Sequence, residues 1–170
     1  IQALCQGHAQ ALRDALQDMA LLALTPAQYS QRSKADRRLL DQFSYRYTRL
    51  QDDMGMRLMP AILKALGGDV APMSAIDRRA RLEQLGWLPS AEAWATLRQI
   101  RHQFTHDYPD AAAERFDRLQ AATAAAGQLL TVMDQFAARI SKLLSAKPPA
   151  PSSQDFIASP RSSRGQASAR

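Results

Sequence analysis

Between Leu39 and Leu66 the apolar residues Leu39, Phe43, Tyr47, Leu50, Met54, Leu58, Ile62 and Leu66 step by 4, 4, 3, 4, 4, 4 and 4. A series with that spacing lines one side of a helix, so the segment is expected to be long, helical and buried along one face. Thr25-Pro26 reads as its N-cap and first helical position, and Gly67-Gly68 as its end. Pro60 falls inside and is expected to kink it, because proline has no N–H for the helical ladder.

The rest of the chain follows the same period. Leu4, Leu12, Ala15, Leu16, Met19 and Leu22/Ala23 mark a first helix. Ser74 with Asp77 three residues on resembles a capping box, opening a short helix that Gly86 closes. Ser90 caps the next, whose apolar positions are Trp94, Leu97, Ile100 and Phe104 and which Pro109 stops. A last long helix carries Phe116, Leu119, Thr123, Ala126, Leu130, Met133, Phe136/Ala137, Ile140 and Leu143/Leu144. Four longer helices and one short one joined by brief loops make an all-α, up-and-down antiparallel four-helix bundle over residues 1–144. Residues 145–170 are dominated by Ala, Pro, Ser and Arg and are expected to form a disordered tail, since they cannot bury enough surface to offset chain entropy.

Composition agrees and narrows the function classes. Only 6% of residues are aromatic although 46% are hydrophobic, a balance poor in strand formers. No apolar run approaches the ~18 residues of a membrane span. The single cysteine, Cys5, excludes an internal disulfide framework and a multi-cysteine zinc site, and reads as a small packing residue. The opening residues are polar-interrupted and resemble no signal peptide, which makes the cytoplasm the expected compartment. The chain carries a formal charge of +6. Lys147, Arg161, Arg164 and Arg170 against Asp155 put half of that surplus in the tail, so bulk charge is a weak argument for a nucleic-acid partner.

One segment concentrates polar groups at a helix end: Leu97-Arg98-Gln99-Ile100-Arg101-His102-Gln103-Phe104-Thr105-His106-Asp107-Tyr108-Pro109. Metal-independent RNA cleavage needs a base for the 2′-OH proton, an acid for the departing 5′-oxygen and a cation on the phosphorane-like charge. Histidine titrates near neutrality and arginine donates a planar fork that never deprotonates. His106 would then be the acid/base and Arg101 the charge stabiliser, with Arg98, His102 and Thr105 supporting the site or touching RNA. The bland alternative is that an Arg and a His at a helix C-terminus merely complement the helix dipole. Positions five apart differ by about 140° around a helix. Arg101 and His106 therefore converge only if the helix loosens before Pro109 or if they meet across a dimer.

Arg101, four intervening residues and His106 also resemble the Arg-x4-His signature of HEPN domains, down to the polar residue, His102, directly after the arginine. With Tyr108 two positions beyond His106, the pattern is similar to the HepT-type toxins of bacterial HEPN/MNT toxin–antitoxin pairs. The stretches Leu50–Gly55, Asp77–Gly86 and Ser90–Trp94 are similar to family members too, and the likeness spans roughly residues 5–144. It implies a homodimeric ribonuclease whose two motifs share one cleft and a small nucleotidyltransferase (MNT) antitoxin as partner; the histidine/arginine chemistry itself calls for no cofactor. It also implies that Tyr108 is the residue such a partner adenylylates, adding charge and bulk where RNA phosphate would bind; alternatively Tyr108 simply packs the helix end. A different function within the same resemblance is a non-catalytic nucleotide- or substrate-binding subunit of a nucleotidyltransferase.

The remaining polar residues get plainer readings. His102 and His106 have a metal-compatible spacing, but no Glu follows His102 and no third ligand is evident, so no metal site is assigned. His8 reads as a helix-surface residue, Arg32, Lys34, Arg37 and Arg38 as a solvated face, Met54, Met56 and Met59 as core or interface filler, and Tyr45 and Tyr47 as ordinary bundle residues.

Overall fold

A computed structural model describes residues 1–22, 24–105 and 112–146. The elements are α1 (Gln2–Leu22), α2 (Pro26–Ser30), α3 (Lys34–Asp53), a π-helical segment (Met54–Leu58), α4 (Met59–Ala65), α5 (Ala75–Gln84), α6 (Ala91–Thr105) and α7 (Ala112–Ala146). The fold is an all-α helical bundle. α1 packs against α3 and α7, and α6 packs against α7 and α3, so the four long arms close a ring around one core. Phe43 packs against Phe104 with the rings tilted at 59°, while Gly55 in the π-helical segment that continues α3 faces Trp94, which sets α3 and α6 antiparallel. The expected tail lies outside the described residues, apart from residues 145 and 146, which belong to the end of α7.

The stripe that opened the sequence is the centre of that core. Phe43, Tyr47, Leu50, Met54, Leu58 and Ile62 are buried, whereas Leu66 at its end is exposed and Leu63 takes the inward position. Each buried Leu, Ile, Met or Phe of the stripe contributes roughly 1.5–3 kcal/mol. The turn that absorbs Pro60 is the π-helical segment just before it, in which the Met59 N–H donates to the Met54 carbonyl. Pro60 has no N–H and its ring crowds the carbonyl four residues back; the wider π turn relieves both. Gly67, at φ +84, ends α4, with the Gly68 N–H donating to the Leu63 carbonyl at 2.9 Å.

Two expectations need correction. The helix capped by Thr25 does not run on to Gly67: it stops at Ser30, and a second capping box, Ser33 with Asp36, starts the long helix at Lys34. The side-chain oxygens of Ser33 and Asp36 satisfy each other's orphan N–H groups, which favours a fresh start there over a continuous helix. His8 is no surface residue either. Its side chain is 14% exposed and Nε2 lies 3.2 Å from Oδ2 of Asp53. Asp53 is itself buried, with Arg49 and Arg57 one turn away on either side, so the carboxylate is compensated by a cluster rather than left alone. The Ser74–Asp77 box is present, and its hydrogen bonds hold the Asp77 carboxyl below the usual range.

Candidate functional site

α6 leaves one edge uncovered by the core, and that edge carries the polar motif. Trp94 and Leu97 are buried, while Arg98 and His102, one turn apart, are exposed and Arg101 is half-buried. α5 brings Arg79 up to the same edge. Arg79, Ala95, Arg98, Gln99, Arg101 and His102 line an open cleft of about 330 Å3. Burial first, and then the charge of Arg98, hold the Arg79 guanidinium below its ordinary value. Like cations gathered this way favour a bound anion, because its charge offsets both the repulsion and the desolvation.

Asp52 on α3 is the counter-charge. Its Oδ1 lies 2.6 Å from Nη1 of Arg101, whose side chain is 12% exposed. Tyr47 lies beside this pair; its hydroxyl donates to the Leu97 carbonyl at 3.0 Å, and burial pushes its ionisation well above the usual phenol range. α3 therefore fixes α6 through one buried hydroxyl and one ion pair.

A second, smaller cleft of about 220 Å3 adjoins the first and shares Arg79 and Arg98 with it. Gln51, Asp52, Gly55, Met56, Ala75 and Trp94 complete its lining. Gln51 is 2% exposed, and neither its amide nitrogen nor its amide oxygen has a hydrogen-bond partner. A buried polar group without a partner costs about 1–3 kcal/mol, and both ends of the Gln51 amide are closed off from solvent in this way.

Of the residues assigned from sequence, Arg98, Arg101 and His102 meet on one cleft. Thr105 does not line it; its hydroxyl donates to the His102 carbonyl at 3.3 Å and closes the last turn of α6. His106 and Tyr108 lie outside the described residues, as does the question of how His106 meets Arg101. Asp52, Arg79 and Gln51 were missed. The signal for Asp52 was a carboxylate next to the buried stripe, between Leu50 and Met54; Arg79 had none without knowing that α5 packs beside α6. Among the described residues no group of three or more His, Cys, Asp or Glu is placed to hold a metal, and no helix is long and apolar enough to cross a membrane. No protein-family model, curated protein or solved structure matches this chain.

Proposed function

We propose that this chain is a metal-independent endoribonuclease that acts as the toxin of a bacterial toxin–antitoxin pair. What carries the reading is the convergence of Arg79, Arg98, Arg101 and His102 on one open cleft at the end of α6, directly before the segment that holds His106. The cations bind the RNA phosphate. His106 accepts the 2′-OH proton, O2′ bonds to phosphorus, the P–O5′ bond breaks and a protonated His106 supplies the proton that O5′ needs. Base and acid act on opposite sides of phosphorus, so two copies of the motif are required, and a homodimer provides them. Arg101 stabilises the charge that develops on the non-bridging oxygens. The products are a 2′,3′-cyclic phosphate and a 5′-OH. In the cytoplasm an MNT nucleotidyltransferase holds the toxin silent by adenylylating Tyr108.

A second reading is a nucleotide-binding subunit without catalysis, and the Arg101–Asp52 pair favours it, because a guanidinium already neutralised by a carboxylate has less to give to the extra charge that develops only during cleavage, while Arg79 and Arg98 still hold a phosphate.

The test is RNA cleavage by the full chain in EDTA, with intact mass confirming that Tyr108 is unmodified. Cleavage to 2′,3′-cyclic phosphate ends by the wild type, lost in His106→Ala and Arg101→Ala, is expected. No cleavage by the unmodified wild type, or cleavage that survives both substitutions, overturns the ribonuclease reading.

A further inference from the structure

Between the C-terminal ends of α4 and α5 lies a cleft of about 510 Å3, larger than either cleft at α6. Leu63, Leu66, Leu85 and Trp87 give it apolar walls, and Arg81 and Asp69 its charges. Leu66 and Leu85 are left 38% and 39% exposed, so the cleft is an apolar surface without a covering group among the described residues. It belongs to a different side of α5 from the cation clefts. Arg81 lines the one and Arg79 the others, and positions two apart on a helix differ by about 200°. A phosphate on Arg79 and Arg98 therefore does not fill it.

α7 brings the chain close to this cleft. Trp87 packs edge-on against Phe136 with ring centroids 6.2 Å apart, and the Arg139 guanidinium lies 6.0 Å from the Trp87 ring centroid. α7 ends at Ala146, seven residues past Arg139 or about 10 Å along the axis. Leu143, one turn past Arg139 and 39% exposed, carries the apolar surface towards that end. Residues 147–155 follow, with Pro148, Pro149 and Pro151 among them, and then Phe156-Ile157, the only large apolar residues of 147–170. Nine residues span about 30 Å when extended, enough to return from Ala146 to Trp87. The apolar groove between α1 and α7 is beyond the same reach, because Thr123 on its wall lies about 35 Å up the axis from Ala146. Charge agrees with the nearer cleft. Arg81 donates to the neutral Gln84 side chain at 3.1 Å and makes no ion pair among the described residues, and Asp155 directly precedes Phe156. We propose that Phe156 and Ile157 of the same chain fill the cleft between α4 and α5, with Asp155 facing Arg81. Apolar burial anchors the segment, and the exposed ion pair sets its direction. Nothing in this docking depends on the ribonuclease reading.

The experiment places a nitroxide spin label on the full chain through Ser159→Cys, with Cys5→Ala removing the native thiol, and maps the broadening of N–H resonances by NMR. The amides of Gly67, Gly68 and Leu85 and the Trp87 indole N–H are expected to broaden, and those of Ala20 and Thr123 to stay sharp. Adding Phe156→Ser and Ile157→Ser, which change no residue of the helical core, should remove the broadening at the cleft. Asp155→Arg should weaken it, and Arg81→Asp in the same chain should restore it. A mixture of labelled chains with unlabelled, isotope-enriched ones should show no broadening at the cleft. Broadening in the mixture assigns the cleft to the tail of a second copy and overturns docking within one chain. A cleft that stays sharp in the labelled chain, or broadening that survives the loss of Phe156 and Ile157, overturns the proposal outright. Indifference to both charge changes overturns the Asp155 contact and leaves the apolar anchor.

Discussion

Arg101 on α6 and Asp52 on α3 meet with Nη1 2.6 Å from Oδ1, across 49 residues of sequence. The pair has two consequences of opposite sign. It ties the cleft-bearing helix to the core, and it places a negative charge at the edge of the cation cluster proposed to hold phosphate. Asp52→Asn keeps the shape and removes the charge. It should destabilise the fold by about 1–2 kcal/mol, because the half-buried guanidinium loses its counter-charge. It should also tighten binding of poly-uridylate roughly threefold or more at low salt, with the gain fading as salt rises. Thermal melting and filter binding at two salt concentrations read both effects. Weaker RNA binding by a folded Asp52→Asn would show that Asp52 positions Arg101 rather than restraining it.

Arg79 and Arg98 allow a sharper test because their cost and their use separate. Burial first, and then the charge of Arg98, disfavour the Arg79 cation in the free protein. Arg98→Gln should therefore leave the free protein as stable as the wild type or slightly more so, by a few tenths of a kcal/mol. Under the proposed function the same substitution removes a phosphate contact, and the slope of log affinity for RNA against log salt should fall by about 0.7. A loss of stability with an unchanged salt slope would assign Arg98 to the fold alone.

The stripe from Leu39 to Leu66 disclosed more than a helix. Steps of four overshoot an α-helical turn by about 40° each, and those from Leu50 to Leu66 accumulate beyond what one face tolerates. The π turn at Met54–Leu58 takes up that excess, which is why Leu58 and Met59 are both buried. That signal was legible beside Pro60, yet it was read as a kink. The break before Ser33 was legible too, as Ser33 with Asp36, but the long apolar series favoured a continuous helix. The site was only half legible. Arg98, Arg101 and His102 share one short segment, whereas Gln51, Asp52 and Arg79 reach the cleft through the packing of α3 and α5 on α6, which no local pattern encodes.

Gly55 sits in the π turn with Trp94 against it. Alanine there would bring its Cβ to 3.4 Å from Trp94 Cζ2, an ordinary contact, so Gly55→Ala should change stability little. Gly55→Val adds two methyl groups where the indole already lies and should cost about 1–3 kcal/mol, with a changed near-ultraviolet circular dichroism signal as Trp94 moves. Equal stability of Gly55→Val and wild type, with an unchanged spectrum, would mean that the contact of the π turn with α6 is looser than the structure has it.

Cys5 supplies a test of the α1–α3 seam. Its side chain is fully buried; burial first, and then the Asp53 carboxylate, push the thiol from the usual 9.0 up to about 11. The folded chain thus keeps the Cys5 proton at pH values where the unfolded chain has released it. Stability from this source is complete below about pH 9 and is lost as pH rises towards 11, a window set by those two values. Tyr47 also resists ionisation when folded, so the comparison must be made against a chain that still has it. Cys5→Ala removes the thiol alone. The stability difference between wild type and Cys5→Ala should stay constant below about pH 9 and then move against the wild type by on the order of 2–3 kcal/mol by pH 11. Denaturant unfolding of both chains across that range measures it; parallel curves would mean that Cys5 ionises freely and that α1 does not seal against Asp53. In the native chain the same burial makes the thiol slow towards thiol-specific reagents, and labelling should accelerate only as α1 opens.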